Sequence, residues 1–425
     1  MRYVSNFVRS ERQMFKTCVR AFLPPFPVVA FRQGKGSDCS AVVSEGDAVR
    51  EGQLIAVLPD GDSVHSPVPG TVDSIFQTTL PDGKLGTSVK IRTGGSFSFL
   101  GKKDVETNWH TLLKSEILDA IKSCGVVNTF FEPEPLFEII EKSSETKNNF
   151  LVVRMFDEDP GRLTDSFVAQ FCLSKVTEGA CITARAMGAA GIVFVLDKNQ
   201  EFNPSLLNDS VPFCAVRVDA SKYPAGFREN IITAVRKNAR LPEYKFFSAM
   251  SRKSIFIDPE TALSVYEAVV LGKPVIERFV HVTGNCLRSA AMMKVRIGTS
   301  ISSLAEQCGG FKIAPAKIAV NGLITGKTVA DPEVCITKSI KSVSFIPSLE
   351  LFNQVLSPCI RCGKCRSVCP EHLYPDLMYR SATEGLATGN ELKKTAALCS
   401  LCNLCSSACP ARLPLSIGVR LLQEK

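Results

Sequence analysis

Two short cysteine-rich segments near the C-terminal end hold the densest chemistry of this 425-residue chain. The first reads CIRCGKCRSVCP (359–370) and the second reads CSLCNLCSSACP (399–410). In each segment three cysteines are separated by two residues, a fourth follows after three more, and a proline comes next. Thiolates at this spacing can wrap around an iron–sulfur cubane, which needs sulfur ligands on four sides. The segments therefore predict thiolate-bound metal and, with it, electron transfer.

The spacing also predicts how the cysteines pair. In bacterial two-cluster ferredoxins, the fourth cysteine of each motif ligates the cluster of the other motif. We therefore predict two [4Fe–4S] clusters, one on Cys359, Cys362, Cys365 and Cys409 and the other on Cys399, Cys402, Cys405 and Cys369. Residues 350–425 are predicted to form an α-helical two-cluster ferredoxin-like domain, because two helical patterns with a glycine break join the motifs. Zinc is the alternative, but zinc sites usually use two separated C-x2-C pairs.

The rest of the chain must position this domain, and its composition is that of a folded protein. Hydrophobic residues make up 45% and charged residues 22% of the sequence, and the length favours about two to four domains. No window of about eighteen apolar residues is free of charge, although a membrane-spanning helix needs one. The N-terminus lacks the apolar core of a secretory signal. The sequence therefore predicts a cytoplasmic protein that does not span the membrane.

The net charge of +8 is unevenly distributed, since residues 1–35 hold seven Lys/Arg against one glutamate. The basic N-terminal arm (1–24) suggests an acidic partner or an anionic membrane surface, and a solvated arm is the plainer interpretation. Within this arm, apolar side chains at helical spacing predict a helix packed on the core: Phe15, Cys18, Val19 and Phe22.

Residues 25–100 have the pattern of short strands divided by glycine turns. The stretch VVSEGDAVREGQLIAVLPDGDSVHSPVPGTVDSIF (42–76) resembles the biotinyl/lipoyl-type barrel-sandwich hybrid, with Gly46, Gly52 and Gly70 at the tight turns. Domains of this type that carry an attached cofactor present a lysine at a hairpin tip. The corresponding residues here, LPDGDSVHSP (58–67), contain no lysine. An unmodified barrel with a docking or structural role is therefore predicted.

Residues 105–273 alternate helical and strand patterns, which predicts an α/β domain with a mostly parallel sheet. The strands are NFLVVRMF (149–156), GIVFVLD (191–197) and PFCAVRVD (212–219), and residues 165–189 are predicted to form one helix. Strand patterns return in residues 274–345 with one helix between them, which predicts a small α+β domain. The fold class is therefore multidomain α/β.

This domain order resembles the C subunit of the Rnf complex, an ion-translocating ferredoxin:NAD oxidoreductase of bacterial membranes (the RnfC family). Three segments look like family sequence: KYPAGFRENII (222–232), EAVVLGKPVIERFVHVTG (267–284) and VRIGTSISSLAEQCGGF (295–311). The resemblance implies a Rossmann-like α/β domain for FMN and NADH, and an SLBB β-grasp-like domain over 274–345. It also implies a peripheral position on the cytoplasmic face of the inner membrane. The implied partners are the other Rnf-type membrane subunits and soluble ferredoxin or flavodoxin.

The glycine-rich loop that holds FMN and NADH in this family, G-x-x-G-x-G-G-A-G-F-P-T, is altered here. The corresponding residues are CGVVNTFFEPEP (124–135), of which only Gly125 is retained. Bulky or acidic side chains stand where backbone N–H groups would approach a phosphate: Phe130, Phe131, Glu132 and Glu134. A second family element, an acidic loop, is present in altered form as DEDPG (157–161). Asp157, Glu158 and Asp159 are accordingly the candidate cofactor-binding residues of a degenerate flavin or nucleotide site.

Two interpretations of that site stay open. FMN could be held by unfamiliar contacts, or the nucleotide site is lost and electrons come from a soluble carrier; the missing glycines favour the second. We predict a peripheral subunit of an Rnf-like ion-translocating oxidoreductase that passes electrons through two [4Fe–4S] clusters. The alternatives are a structural adaptor of such a complex and a soluble flavin and iron–sulfur protein of the cobalamin-reductase type. No catalytic residue is predicted, and NGLITGKT (321–328) is interpreted as a β-turn because it lacks phosphate-loop spacing.

Overall fold

The computed structural model describes residues 15–34, 36, 38–58, 63–97, 106–143, 149–203, 211–238, 241–348, 356–384 and 390–424. Residues 1–14 of the basic N-terminal arm and residues 59–62 of the predicted hairpin tip (58–67) lie outside the described residues. No helix in the described ranges is long and apolar enough to cross a membrane.

The helix predicted over Phe15–Phe22 is wrong, because the chain is extended there. Strand β1 (Val19–Arg20) pairs in parallel with a later strand, at Met293 and Lys294. Phe15 and Cys18 do pack on the core, whereas Phe22 is 75% exposed. The helical spacing of the apolar residues was misleading because an edge strand can also bury one of its sides and leave the other in solvent.

Residues 28–93 form a two-layer β unit. Its strands are β2 (Val28–Ala30), β3 (Ser40–Ala41), β4 (Ala48–Val49), β5 (Leu54–Val57), β6 (Ser63–His65), β7 (Gly70–Thr79) and β8 (Leu85–Thr93). One sheet has the order β2-β8-β7-β4 and the other β3-β5-β6. Gly46 and Gly52 have φ values of 89° and 77°, as the predicted turns require. Gly70 is needed for a different reason, since a Cβ there would lie 2.2 Å from the backbone oxygen of Arg92.

The next unit is built on a parallel sheet. Its elements are α1 (Lys114–Ser123), β9 (Val127–Asn128), β10 (Glu134–Pro135), α2 (Leu136–Ser143), β11 (Phe150–Arg154), α3 (Thr164–Phe171), α4 (Leu173–Met187), β12 (Gly191–Asp197), β13 (Phe213–Val218), α5 (Arg228–Asn238), β14 (Ile255–Ile257) and α6 (Pro259–Leu271). The sheet order is β13-β12-β11-β14, and all three pairings are parallel. The helix predicted over 165–189 is two helices, because the chain leaves helical geometry at Cys172.

Both faces of this sheet are covered. Leu151 and Phe194 point into one apolar core, which they share with α4 and α6. Val152 and Val195 point into another, which they share with α5. Strands buried on both faces explain the nearly continuous apolar runs in the sequence.

A six-stranded mixed sheet follows. Besides β1, its elements are β15 (Glu277–Thr283), β16 (Ala291–Arg296), α7 (Ile301–Gln307), β17 (Lys317–Val320), β18 (Lys327–Val329) and β19 (Ser342–Ile346). The strand order is β1-β16-β15-β19-β17-β18. The predicted turn in NGLITGKT is confirmed, since it connects the antiparallel strands β17 and β18.

The cysteine-rich unit is helical and internally repeated. Its helices are α8 (Lys364–Val368), α9 (Pro375–Glu384), α10 (Asn390–Ala396), α11 (Leu404–Ser407) and α12 (Leu415–Glu424). Helices α11 and α12 repeat α8 and α9 forty residues later, as the cysteines do. The longer helices of the two halves pack closely, since a Cβ on Gly418 would lie 2.6 Å from Cα of Tyr379.

Candidate metal centres and the adjoining crevice

Four of the predicted ligands line one cavity at the surface of the cysteine-rich unit. These residues, the outer set, are Cys359, Cys362, Cys365 and Cys409. The cavity has a volume of about 20 Å³ and opens to solvent. Cys362 is exposed whereas Cys365 is buried, so the site has one side in the protein and one at the surface. Cys409 comes from the second motif and joins three cysteines of the first.

The other four predicted ligands are grouped deeper in the protein. These residues, the inner set, are Cys369, Cys399, Cys402 and Cys405. Burial, together with the nearby Cys402 and Cys369, raises the pKa of Cys399 to about 12. Burial, together with Cys402 and Cys399, likewise raises the pKa of Cys405 to about 12. Thiols grouped in this way need a cation before they can act as thiolates, and a four-cysteine environment suits iron–sulfur ligation.

The backbone has the same conformation around both sets. Residues with left-handed conformation occur at equivalent positions of the two motifs, forty residues apart: Arg361 and Leu401, Gly363 and Asn403, and His372 and Arg412. A left-handed backbone conformation costs free energy at any residue other than glycine, so it persists only where the surrounding structure enforces it. Backbone N–H groups donate to two inner sulfurs, from Leu373 to Cys369 Sγ and from Leu401 to Cys399 Sγ, each at 3.4 Å. Hydrogen bonds to sulfur are typical of cluster sites.

Within the described ranges, no three His, Cys, Asp or Glu side chains lie close enough to hold one metal ion. A four-iron cubane is larger than one ion, so its ligands stand further apart than those of a single metal. Four thiols are the donor set that such a cluster needs, and both sets fit it on that ground.

The strand order of the parallel sheet reverses between β11 and β14, and we call the place at the C-terminal ends of these two strands the crevice. Ligands of open α/β sheets usually bind at such a switch point, often with a phosphate at a helix N-terminus. Here both helix N-termini are capped by carboxylates of the chain. Asp157 accepts hydrogen bonds from the backbone N–H groups of Asp165 and Ser166 at the start of α3, at 3.0 and 2.9 Å. Asp258 accepts one from Thr261 at the start of α6, at 2.7 Å.

A lysine from the six-stranded unit fills the space between these two helices. Lys341 Nζ lies 2.7 Å from both Asp165 Oδ1 and Asp258 Oδ2, and all three side chains are buried. Burial acts to raise the pKa of Asp258, but the Lys341 ammonium and its hydrogen bond overcome this and hold the pKa below its usual range. The crevice is therefore occupied by an internal ion-pair network.

Two arginines extend this network to the acidic loop. Arg154 contacts Glu158 at 2.7 Å and Asp165 at 3.3 Å, and Arg162 contacts Asp157 at 3.0 Å. Burial acts to raise the pKa of Asp157, and Arg162 together with Ser166 brings it below its usual value. Two of the three carboxylates predicted to face a nucleotide are thus already paired with cations of the chain.

The third predicted carboxylate, Asp159, binds the turn between β17 and β18. Its side chain accepts hydrogen bonds from the backbone N–H groups of Leu323, Ile324 and Thr325, at 3.1, 2.8 and 2.9 Å. Gly322 permits this contact, because a Cβ there would lie 2.3 Å from Asp159 Cγ. Asp159 therefore joins the parallel-sheet unit to the six-stranded unit.

The altered glycine-rich loop folds as a small hairpin of β9 and β10. Phe130 is buried between the Phe256 ring, at a centroid distance of 5.4 Å, and the Arg154 guanidinium, 4.3 Å from its ring centre. Phe131 is 44% exposed. A Cβ on Gly125 would lie 2.1 Å from the Ser63 backbone oxygen, so the retained glycine allows the β unit to approach.

Three side chains that matter here were missed from the sequence: Lys341, Tyr223 and Asn403. Each acts over a long sequence separation, which no local pattern records. Tyr223 donates a hydrogen bond to the backbone oxygen of Cys402 at 2.6 Å. Asn403 Nδ2 donates to the backbone oxygen of Ile324 at 2.5 Å. The inner set is therefore attached to both neighbouring units.

These features define a class: a multidomain iron–sulfur protein with a dicluster domain. Residues 355–413 match a 4Fe-4S dicluster domain. Residues 12–96 match the RnfC barrel sandwich hybrid domain. The fold prediction is thus confirmed for a mixed α/β chain with a barrel-sandwich domain at one end and a dicluster domain at the other.

Curated relatives extend the match along the chain. The C subunit of the ion-translocating oxidoreductase complex of Methanosarcina acetivorans is 27% identical over 86% of this chain and 84% of its own length. Its counterpart in the proton-translocating ferredoxin:NAD(+) oxidoreductase complex of Clostridium ljungdahlii is 23% identical over 84% and 78%. The counterpart in the Na(+)-translocating complex of Acetobacterium woodii is 25% identical over 83% and 80%. The resemblance to the RnfC family is therefore confirmed.

Among solved structures, a chain of an NAD+-reducing [NiFe]-hydrogenase aligns with a TM-score of 0.47 and 14% identity. The alignment covers 75% of this chain and 62% of that chain.

Proposed function

We propose that the chain is a peripheral electron-transfer subunit of an Rnf-like ion-translocating oxidoreductase, with one [4Fe–4S] cluster on the outer set and one on the inner set. The observation that carries this is the cavity lined by four thiols, three from the first motif and one from the second, together with the electrostatic influence of the other four thiols on one another. A cubane accepts one electron at a time, so the two clusters form a one-electron route. The names of the relatives in Clostridium and Acetobacterium support membership of a ferredoxin:NAD(+) oxidoreductase complex.

The parallel-sheet unit and the six-stranded unit contribute to this route by holding the inner set in place. The strand order β13-β12-β11-β14 supports a Rossmann-like assignment, and the six-stranded unit is proposed to be the SLBB domain. FMN would need the crevice that Lys341, Asp165 and Asp258 fill, so the residues present do not fit it. Asp157 and Glu158 accordingly pair with arginines of their own unit, and Asp159 joins that unit to the six-stranded unit. Electrons reach the clusters without a nucleotide on this chain.

The first test is an analysis of protein purified anaerobically. We expect about eight irons per chain, no bound flavin, and clusters that a reduced ferredoxin or flavodoxin reduces but NADH does not. Dithionite serves as the control that the clusters can accept electrons. Bound FMN together with rapid reduction by NADH would contradict the proposal for the crevice, and a chain without iron would contradict the electron route.

The surface around the outer set indicates the kind of partner that exchanges electrons there. Ile360 and Leu356 are 65% and 57% exposed. Three exposed cations flank them: Arg361, Lys364 and Arg412. An apolar contact ringed by positive charge suits an acidic one-electron carrier, because complementary charge speeds encounter and brings the two redox centres together. Ferredoxin and flavodoxin are therefore the proposed soluble partners.

Charge reversal tests this docking surface. The double variant Arg361→Glu/Lys364→Glu is expected to slow reduction by an acidic ferredoxin about tenfold or more at low salt. It should also weaken the dependence of the rate on ionic strength, as measured by stopped-flow absorbance. The matched control is Lys393→Glu/Lys394→Glu on α10, which packs against α12 on the inner side of the unit. Equal slowing in both variants would show that only the net charge of the chain matters.

In the cell, the protein is proposed to lie on the cytoplasmic face of the inner membrane and to bind the membrane subunits of the complex. The confirmed RnfC resemblance supports this position, and so does the sequence of the basic arm, which suits an anionic surface.

A further inference from the structure

A tyrosine from the parallel-sheet unit reaches the inner set. The Tyr223 side chain is 3% exposed and lies in an apolar group with Phe227, Cys402 and Leu404. Its hydroxyl donates to the backbone oxygen of Cys402 at 2.6 Å, across 179 residues of sequence. The ring is fixed by an edge-on contact with Phe227 at a centroid distance of 5.6 Å. The hydroxyl is thus held against a peptide that belongs to a proposed cluster ligand.

A second contact fixes the next residue along the chain. Asn403 has φ of 62° and precedes α11, which carries Cys405. Its amide donates to the backbone oxygen of Ile324, and the backbone of Ile324 is itself bound by Asp159 at 2.8 Å. The peptide between two inner ligands is therefore clamped from both neighbouring units, at Tyr223 and at Ile324.

We propose that Tyr223 is a positioning residue that raises the reduction potential of the inner cluster, with Asn403 as the second contact that fixes the same segment. This rests on the proposed function, because it requires a cluster on the inner set. Reduction adds negative charge to a cluster, and a hydrogen-bond donor directed at the ligand backbone stabilises that charge. A buried tyrosine hydroxyl also needs a partner, and here the partner is the carbonyl of Cys402.

The test is a redox titration of Tyr223→Phe, followed by EPR spectroscopy. The phenylalanine keeps the ring and its packing and removes only the hydroxyl. At an ambient potential equal to the wild-type midpoint of the inner cluster, the ratio of reduced to oxidised cluster is expected to fall about 2- to 10-fold, the range of one hydrogen bond. The outer cluster should be unchanged. Repeating the titration in a Cys362→Ser background, which alters only the outer set, assigns the signals.

Tyr266→Phe is the matched control. Tyr266 is a buried tyrosine of the same parallel-sheet unit whose hydroxyl donates to Glu106 Oε1 at 3.5 Å, so the same chemical change there should leave the potential of the inner cluster unaltered. Selective loss of the inner irons in Tyr223→Phe, with the outer signal intact, would also support positioning by the hydroxyl. An unaltered inner potential with full iron content would overturn the proposal.

Two further outcomes are decisive. If Tyr223→Phe does not fold, the same titration of Asn403→Ala decides, and an unchanged inner potential there overturns the proposal. If wild-type protein prepared anaerobically holds outer iron but none on the inner set, the proposed function fails first. Iron content of the wild type therefore separates failure of the function from failure of this inference.

Discussion

Replacing Cys369 with serine is expected to remove the inner cluster and spare the outer one, although Cys369 belongs to the first motif. Its sulfur accepts a hydrogen bond from Leu373 and it acts electrostatically on Cys399 and Cys402. Cys409→Ser is expected to do the reverse, because Cys409 lines the outer cavity. Each variant should lose about four of eight irons, as measured by iron analysis and EPR, and electron transfer through the chain should stop.

Cys335→Ser is the control, since Cys335 lies in the six-stranded unit away from both sets and should keep the full iron content. The crossed pairing would be wrong if Cys369→Ser depleted the outer signal. The structural-adaptor alternative makes a different prediction. An assembled complex that still reduced its acceptor without either cluster would favour that alternative.

Replacing Lys341 with methionine is expected to lower the free energy of unfolding by about 3–5 kcal/mol, the cost of leaving buried charges without their partner. Asp165 and Asp258 would then face each other with no cation at 2.7 Å. Trp109, the single tryptophan of the chain, is a suitable probe because it is buried in the same unit and donates a hydrogen bond to Glu178 at 2.9 Å. Its fluorescence during urea unfolding gives the measurement.

Lys317→Met makes the same chemical change at an exposed position of β17 and should shift the free energy of unfolding by less than about 0.5 kcal/mol. Adding Asp258→Asn to Lys341→Met should recover part of the loss, since it removes one uncompensated charge. A loss below about 1 kcal/mol for Lys341→Met alone would mean that water replaces the ammonium, and that the crevice is open enough for a ligand.

The dicluster domain could be predicted from sequence because the spacing of its cysteines is local chemistry. The motif C-x2-C-x2-C-x3-C-P gives both the type of the ligand residues and their spacing along the chain. The strand GIVFVLD was also found from a local pattern, because it is a short apolar run with clear ends. The N-terminal strand was missed because its partner, β16, lies about 270 residues further along. Its pairing is decided by tertiary contact, which overrides local spacing.

The crevice shows more clearly what local sequence patterns cannot predict. The sequence indicated that loop 124–135 no longer suits a phosphate, but it gave no sign of what replaced the ligand. The replacement is Lys341, which is 176 residues from Asp165 and 83 from Asp258. Nothing in the residues around it distinguishes it from a surface lysine. The acidic loop was found from its composition, yet its contacts depend on Arg154 and Arg162 within its own unit and, for Asp159, on a turn about 165 residues further along the chain.

The exchange of the last cysteine between the two halves of the helical unit has a consequence for biosynthesis. Cys359, Cys362 and Cys365 leave the ribosome first, but the cavity they line is completed by Cys409, the last cysteine of the second motif. With a cluster on each set, as proposed, iron loading of that cavity waits until the second motif has been translated. A truncated product ending between the motifs would have three of the four proposed thiols for one cubane and a single thiol for the other, so we expect no half of the unit to be metallated on its own.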